Sequence, residues 1–255
     1  HWVPNSDACS LPCCGNTHAT QCKLKYRKNV LSASAAICRK RNMAQKYSIF
    51  DFKVFILQEV RIHLKREKML REIIQKNRSY RRFDERVQIS RDQLESWVDL
   101  ARYAASGRNM QPLKYLISNR SETNALIFDT LKWAGYLTEW DGPATGERPT
   151  AYIVQFLDTT IASNYFCDDG IAAQNILLGA VEAGFGGCIL RAFNRKQLNE
   201  ALKTPEHLEI INVLALGKPA ETIQIDEMTH EDVKYWRDDQ GIHHVPKRSL
   251  KDIIL

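Results

Sequence analysis

From Met69 onward the sequence predicts a mixed α+β domain of about 190 residues. Three observations carry that reading. Ser90-Arg-Asp-Gln93 is a capping box ahead of an amphipathic run. Asp168 to Ala183 is a long helix of alanine, glycine and isoleucine, and Thr150–Leu157 and Ile210–Leu216 are apolar, β-branched strand candidates.

Leu70, Ile73 and Ile74 give a short helical stripe ending near Asn77. After the capping box, Leu94, Trp97, Val98, Ala101 and Ala105 form one apolar face. Tyr115 to Ile117 is a short strand candidate following Pro112. Ser121 can cap another helix, expected to run to about Trp133. Residues 135–149 are loop, rich in Gly, Pro and charge. The small residues of 168–183 imply tight packing on a second helix, and Gly184 to Gly187 end it. Arg195 to Leu202 is a short helix. Residues 218–255 read as a tail with few core residues of its own.

Residues 1–68 are different in kind. They hold 13 Lys+Arg against 4 Asp+Glu, whereas residues 69–255 hold 23 against 26. The net charge of +6 therefore belongs to the front alone and assigns no nucleic-acid partner to the body. Cys9, Cys13, Cys14, Cys22 and Cys38 lie in the front; C-x3-C-C-x3-H-x3-C, ending at Cys22, lacks the paired knuckles of a structural zinc site, so no metal is expected. No apolar run there resembles a secretory signal. A basic, disordered extension or a nucleic-acid-binding arm are open readings. Lys65-Arg-Glu-Lys68 before Met69 can be encoded by purines only, and we expect 1–68 to be a translated leader or mis-set start. The body's two isolated cysteines, Cys167 and Cys188, suit a reduced, cytoplasmic protein. No apolar run reaches the roughly 18 residues of a membrane helix.

Three motifs carry chemistry. Asn77-Arg-Ser-Tyr-Arg-Arg-Phe83 sets three guanidinium groups around one hydroxyl. Taken alone, a solvated turn with ion pairs to Asp84 or Glu85 is the simpler reading; the functional one is a phosphate grip, because guanidinium forks match phosphate oxygens. Ala105-Ser-Gly-Arg-Asn-Met-Gln-Pro112 places two amide side chains at a helix end. It is either a plain helix stop or a surface for a ring edge that alternates donors and acceptors. Gly184-Phe-Gly-Gly-Cys188 combines a helix-terminating glycine with two more that allow close backbone approach to a ligand. It follows neither the dinucleotide-binding nor the phosphate-loop pattern.

Together, NRSYRRF, S-x-x-N-x-Q-P, DDGIAAQNILLGAVEAGFGGC and ALGKP, in that order, resemble the FMN-dependent nitroreductase family. The tail DVKYWRDDQGIHHVPKRSLKDIIL resembles a subgroup of small nitroreductase-like flavoproteins. The resemblance spans residues 69–255. It implies a central, mainly antiparallel sheet flanked by helices, in an intertwined homodimer with FMN at the interface. Residue by residue it implies that Arg78 and Ser79 grip phosphate and ribityl, and that Arg81 lies at the flavin N1–C2=O edge. Asn109 would contact the flavin with Gln111 nearby, and the backbone of Gly186 and Gly187 would approach N5 and O4. Asn77 stands where many members have a basic residue, so Lys247 and Arg248 are expected to complete the phosphate grip. Ala105 stands where the family often has proline.

The resemblance implies an oxidoreductase that passes hydride from NADH or NADPH through flavin N5 to an acceptor such as a nitroaromatic or quinone, with ping-pong kinetics and no obligatory side-chain acid or base. Flavin-consuming or dehalogenating chemistry, or flavin binding without turnover, are the alternatives. Cys188 reads as a packing residue. Trp133, Tyr136 and Trp140 form either an aromatic lid or dimer packing. Trp236 is expected to anchor the tail to the second subunit, and His243-His244 to be surface or interface groups.

Overall fold

The computed structural model of the chain describes residues 69–229 and 231–255. The expectations for residues 1–68 lie outside these described residues. Helix α1 covers residues 69–76, as the Leu70, Ile73, Ile74 stripe predicts. Then follow α2 (Arg91–Arg102), β1 (Leu113–Ser118), α3 (Ser121–Phe128), β2 (Ala151–Asp158), α4 (Asp168–Glu182), β3 (Gly186–Leu190), α5 (Arg195–Leu202) and β4 (Leu208–Gly217). The tail adds β5 (Ile223–Glu227), β6 (Trp236–Arg237) and β7 (His243–Lys247).

Strands β1–β2–β4–β3 form one wholly antiparallel sheet. Every residue of β2 is buried, so its apolar residues occupy both faces rather than alternating, with Gln155 and Asp158 the buried polar exceptions. Ala151 and Ile153 of β2, with Leu214 and Leu216 of β4, pack under α2 and α4. Tyr152, Val154 and Phe156, with Val213 and Ala215, pack on the other face with Ile127 of α3 and Leu198 of α5. The sheet is thus sandwiched between two helical layers, the α+β arrangement the sequence and its resemblance predict. One β-bulge interrupts it: Gln155 faces Asn212 but Phe156 faces Ile210, leaving Ile211 as the extra residue. The bulge keeps Ile210 and Val213 in the same cluster.

Ser90 Oγ accepts from the Gln93 amide while Gln93 Oε1 accepts from the Ser90 amide, so the capping box closes as predicted. Leu94, Trp97 and Ala101 are the buried stripe of α2. Gly179 of α4 meets it closely: a Cβ there would lie 2.5 Å from Leu100 Cδ1. That contact is the tight helix packing implied by the small residues of α4. The helix ends in a Schellman motif, with the Phe185 amide donating to Ala180 O and the Gly184 amide to Val181 O, and Gly184 at φ +79°.

Three expectations need correction. Ser121 is the first helical residue of α3 and not its cap; Arg120 occupies the cap position without a side-chain bond. The helix stops at Phe128, short of Trp133, because Leu131 pairs with Phe193 and Trp133 turns into the core. Gly186 and Gly187 do not merely end α4 but open β3. The tail forms a second sheet, β5–β7–β6, in which β5 and β7 pair in parallel.

Gly187 tests the packing directly. A Cβ there would sit 2.3 Å from the Ala215 carbonyl oxygen, which is main chain of a central strand and cannot yield. We expect Gly187→Ala to destabilise the domain by about 1–3 kcal/mol, or more, in urea unfolding; an unchanged midpoint would show that β3 can shift.

Candidate functional site

The Arg78–Arg82 segment runs beside the edge of β3. Ser79 forms a parallel bridge with Gly187, and the Tyr80 amide donates to Gly187 O at 3.1 Å. The Tyr80 ring lies over Gly186, where a Cβ would be 2.6 Å from it. The structure therefore brings Arg78, Ser79, Arg81, Gly186 and Gly187 together. It also gives the two β3 glycines a structural cause: they admit Tyr80 on one side and the β4 main chain on the other.

Each arginine is directed by a local contact. Arg78 donates from Nη2 to Ile74 O at 3.0 Å, the last turn of α1. Arg81 donates from Nη1 to Ser79 O at 3.1 Å and lies 5.0 Å from the Tyr235 ring centroid. Arg82 approaches Glu147 at 3.2 Å and lies 5.8 Å from Trp140. The expected ion pairs to Asp84 and Glu85 do not form: Asp84 pairs with Arg86, and Glu85 accepts from the Gly146 amide.

Two tail residues complete the cluster, and sequence reasoning missed both. Glu221 Oε1 accepts from the amides of Arg81 at 2.5 Å and Arg82 at 3.1 Å, and Oε2 pairs with Arg237 Nη2 at 3.0 Å. The Glu221 side chain is only 2% exposed and that of Arg237 12%. Arg237 also lies 4.3 Å from the Trp140 ring. Four guanidinium groups (Arg78, Arg81, Arg82, Arg237) thus face two carboxylates (Glu147, Glu221). Among the described residues, the buried Nε donors of Arg78, Arg81 and Arg237 have no partner. Arg82 Nε also lacks a well-aligned bond; its 3.2 Å approach to Glu147 is an ion pair without hydrogen-bond geometry. Each unmet buried donor costs about 1–3 kcal/mol. An excess of two positive charges and unmet donors suit a phosphate monoester, which carries close to two negative charges at neutral pH.

Lys247 and Arg248 lie elsewhere in the single chain. β7 begins with His243, which is 5.2 Å from Tyr235 between ring centroids. Lys247, four residues on, is roughly 13 Å farther along the strand. There it is exposed and registered against Glu227.

Asn109 and Gln111 form a second group. Arg108, Asn109 and Gln111 all have positive φ, at 53°, 55° and 52°. Asparagine tolerates this region; arginine and glutamine carry a cost of about 1–2 kcal/mol each. The strained turn is held by Ser106, whose Oγ accepts from the Gln111 amide at 2.8 Å, and by Asp168, whose Oδ1 accepts from the Gly107 amide at 3.0 Å. Beside it lies a pocket of about 420 Å³ bordered by Ser106, Gln111, Tyr115 and Asp168. Both amide side chains are exposed.

The two groups sit at opposite ends of α4. The strained turn meets its first residue, Asp168, and the Gly187 group follows its last turn. Fifteen residues at 1.5 Å rise separate them by about 22 Å. The sheet says the same: Leu113 aligns with Leu157 and Glu209 at one end of β4, and Gly187 with Leu216 at the other.

The remaining candidates resolve into structural roles. Cys188 is a core side chain whose thiol burial pushes up to about 12. Trp133 is buried between Phe128 and Trp140. Tyr136 packs tilted against Tyr235, 5.0 Å between ring centroids, so the loop aromatics tie the arginine cluster to the tail. Among the described residues no group of three or more His, Cys, Asp or Glu is arranged for a metal ion, and no helix is long and apolar enough to cross a membrane.

The adjacent histidines differ sharply. His243 is buried and its pKa is pushed down to about 4 by that burial. His244, on the other side of the strand, bonds Asp226 at 2.7 Å and Asp238 at 3.3 Å and stacks on Trp236 at 4.8 Å. The Asp226 hydrogen bond raises its pKa above 6.5. His244 therefore stabilises the tail sheet fully below its unfolded value, and this contribution fades as pH rises through the raised folded value. His243 contributes above 6.5 and is lost as pH falls toward 4.

A family model described as the nitroreductase family matches residues 74–135 and 158–218. A nitroreductase family protein from Streptococcus pneumoniae TIGR4 is 16% identical over 73% of this chain and 98% of its own, with a TM-score of 0.52. A nitroreductase-like protein from Streptococcus mutans is 16% identical over 61% and 91%, with a TM-score of 0.50. A nitroreductase family protein from Clostridium novyi NT is 23% identical over 72% and 98%, with a TM-score of 0.48. At these identities the likeness to the two streptococcal proteins is one of fold.

The stacked His244–Trp236 pair gives a direct readout. A protonated imidazole quenches an indole it stacks on, so Trp236 emission should rise with pH at a midpoint above 6.5. The transition should vanish in His244→Gln; a transition that survives the substitution would place the titrating group elsewhere.

Proposed function

Because the nitroreductase family model matches residues 74–135 and 158–218 of this chain, we propose that the protein is an FMN-dependent oxidoreductase of that family using NADH or NADPH. Its acceptor in this reading is a small oxidised molecule such as a nitroaromatic or a quinone, and its setting is the cytoplasm. The observation that carries the reading is the arginine turn against Gly187, with two positive charges in excess and buried guanidinium donors unmet. That donor set suits the phosphate of a mononucleotide.

FMN, when bound, would supply the redox chemistry, taking hydride from the nicotinamide at N5 and passing the electrons to the acceptor. The chain's own residues would bind and orient it. Arg78 and Ser79 would hold the phosphate and ribityl end. Arg81, by resemblance, would place a fixed positive charge at the pyrimidine edge, where negative charge develops on reduction. Asn109 and Gln111 would offer donors and acceptors to the ring edge.

The 22 Å separation supports a homodimer in this reading. One chain cannot present its arginine turn and its own amide turn to the same face of one ring; two chains can, each supplying one group to each site. Lys247 and Arg248, remote from the arginine turn within one chain, are proposed to reach a phosphate in the same composite site.

The purified protein should be yellow, take up about one FMN per chain, and be bleached by NADH or NADPH with ping-pong kinetics toward an acceptor. A colourless protein that does not take up supplied FMN would sink the proposal. Arg81→Ala should weaken FMN binding by at least about tenfold and lower the flavin's midpoint potential; an unchanged potential would mean Arg81 is misassigned. Mixing an Arg78→Ala/Arg81→Ala chain with an Asn109→Ala/Gln111→Ala chain should restore one intact site per heterodimer. Absence of complementation would contradict the composite site.

A further inference from the structure

The tail carboxylate of Glu221 occupies a position that ordinarily attracts a ligand. Two consecutive main-chain amides, those of Arg81 and Arg82, point at one oxygen, 2.5 and 3.1 Å away. Converging amides of this kind form an anion-binding concavity. Here the chain fills it with its own carboxylate, 2% exposed. A bound phosphate would therefore be met by side chains, not by these amides.

We propose that Glu221 is the positioning residue of the arginine turn, fixing the main chain of Arg81 and Arg82 and so the direction of their guanidinium groups. The proposal rests on the flavin reading for what those groups bind, but not for the positioning itself. A carboxylate this deeply buried needs a counter-charge. Arg237 supplies it at 3.0 Å and is itself flattened against Trp140. Trp140 faces Arg82 on the same cluster, and Tyr235, from the same tail stretch, stacks on Arg81. The tail thus grips the turn through the two hydrogen bonds to Glu221 and the Tyr235 ring, while the Arg237 ion pair holds Glu221 and Trp140 of the 135–149 loop backs Arg82 and Arg237. His243, buried beside Glu221, is neutral and adds no compensating charge.

The alternative, that Glu221 merely fills space or stabilises the domain at large, makes different predictions. The first measurement is amide hydrogen exchange at Arg81 and Arg82 in the full, flavin-free chain. Glu221→Ala should speed exchange at these two amides by at least about tenfold, the loss expected for bonds to a charged acceptor. Exchange in α2 and β2 should stay unchanged. Glu221→Gln, which keeps an acceptor oxygen, should retain most of the protection. Unchanged exchange in the Ala variant, a rise spread over the domain, or a Gln variant as unprotected as the Ala variant would each overturn the proposal.

The second measurement is the FMN dissociation constant and midpoint potential. Glu221→Ala should move both in the direction that Arg81→Ala does, and the double variant should go no further than Arg81→Ala alone. Additive shifts would show that Glu221 does not act through Arg81, and the proposal would fall. A wild-type chain that protects both amides through Glu221 yet takes up no FMN would leave the positioning role standing and remove the flavin reading.

Discussion

At Gly187 the edge of β3 has room for one main chain and no side chain. The Ala215 carbonyl closes one side, and the Tyr80 ring covers the neighbouring Gly186 on the other. The Ser79–Tyr80 strip fills that edge and hands its amide hydrogen to Gly187 O. This steric constraint fixes where the arginine turn can lie. Once the turn is seated there, the guanidinium groups, the Glu221 carboxylate under their amides and the Arg237–Trp140 pair follow as consequences of charge and packing.

The position of that edge is set by the core. A sheet buried on both faces cannot shift register without exposing one cluster and burying the wrong residues of the other. α4 covers one face of it, packs on α2 through Gly179 and ends at Gly184, which delivers the chain into β3 at a defined height. The same helix holds, at its first residue, the strained turn carrying Asn109 and Gln111. One rigid rod therefore spaces the two groups of candidate binding residues. Their separation is a property of helix length, and it turns a question about a binding site into a question about two chains.

The tail shows how a segment without a core becomes ordered. Residues 218–255 bury little apolar surface, and Trp236, Ile253 and Ile254 stay exposed in the single chain. Order comes instead from polar pairing: Glu221 with Arg237, and His244 with Asp226 and Asp238. Adjacent histidines on opposite faces of β7 are driven in opposite directions, His243 toward its neutral form by burial and His244 toward its protonated form by the Asp226 hydrogen bond. The order of the tail is therefore tied to pH in a way an apolar core is not.

Local chemistry was readable from the sequence alone. The capping box at Ser90, the helix over Arg195–Leu202, the close packing of α4 and the two central strands each depend on neighbours a few residues apart, and periodicity records those directly. The identity of the arginine, amide and glycine groups was readable for the same reason. What the sequence left open was decided by contacts far apart in the chain. β3 was hidden because its glycines answer to Tyr80 and Ala215. The early end of α3 answers to Phe193. The tail sheet joins β5 and β7 across some twenty residues, and Glu221 meets Arg81 across 140. Such pairings leave no periodic trace, because the energy that creates them exists only when the remote partner arrives.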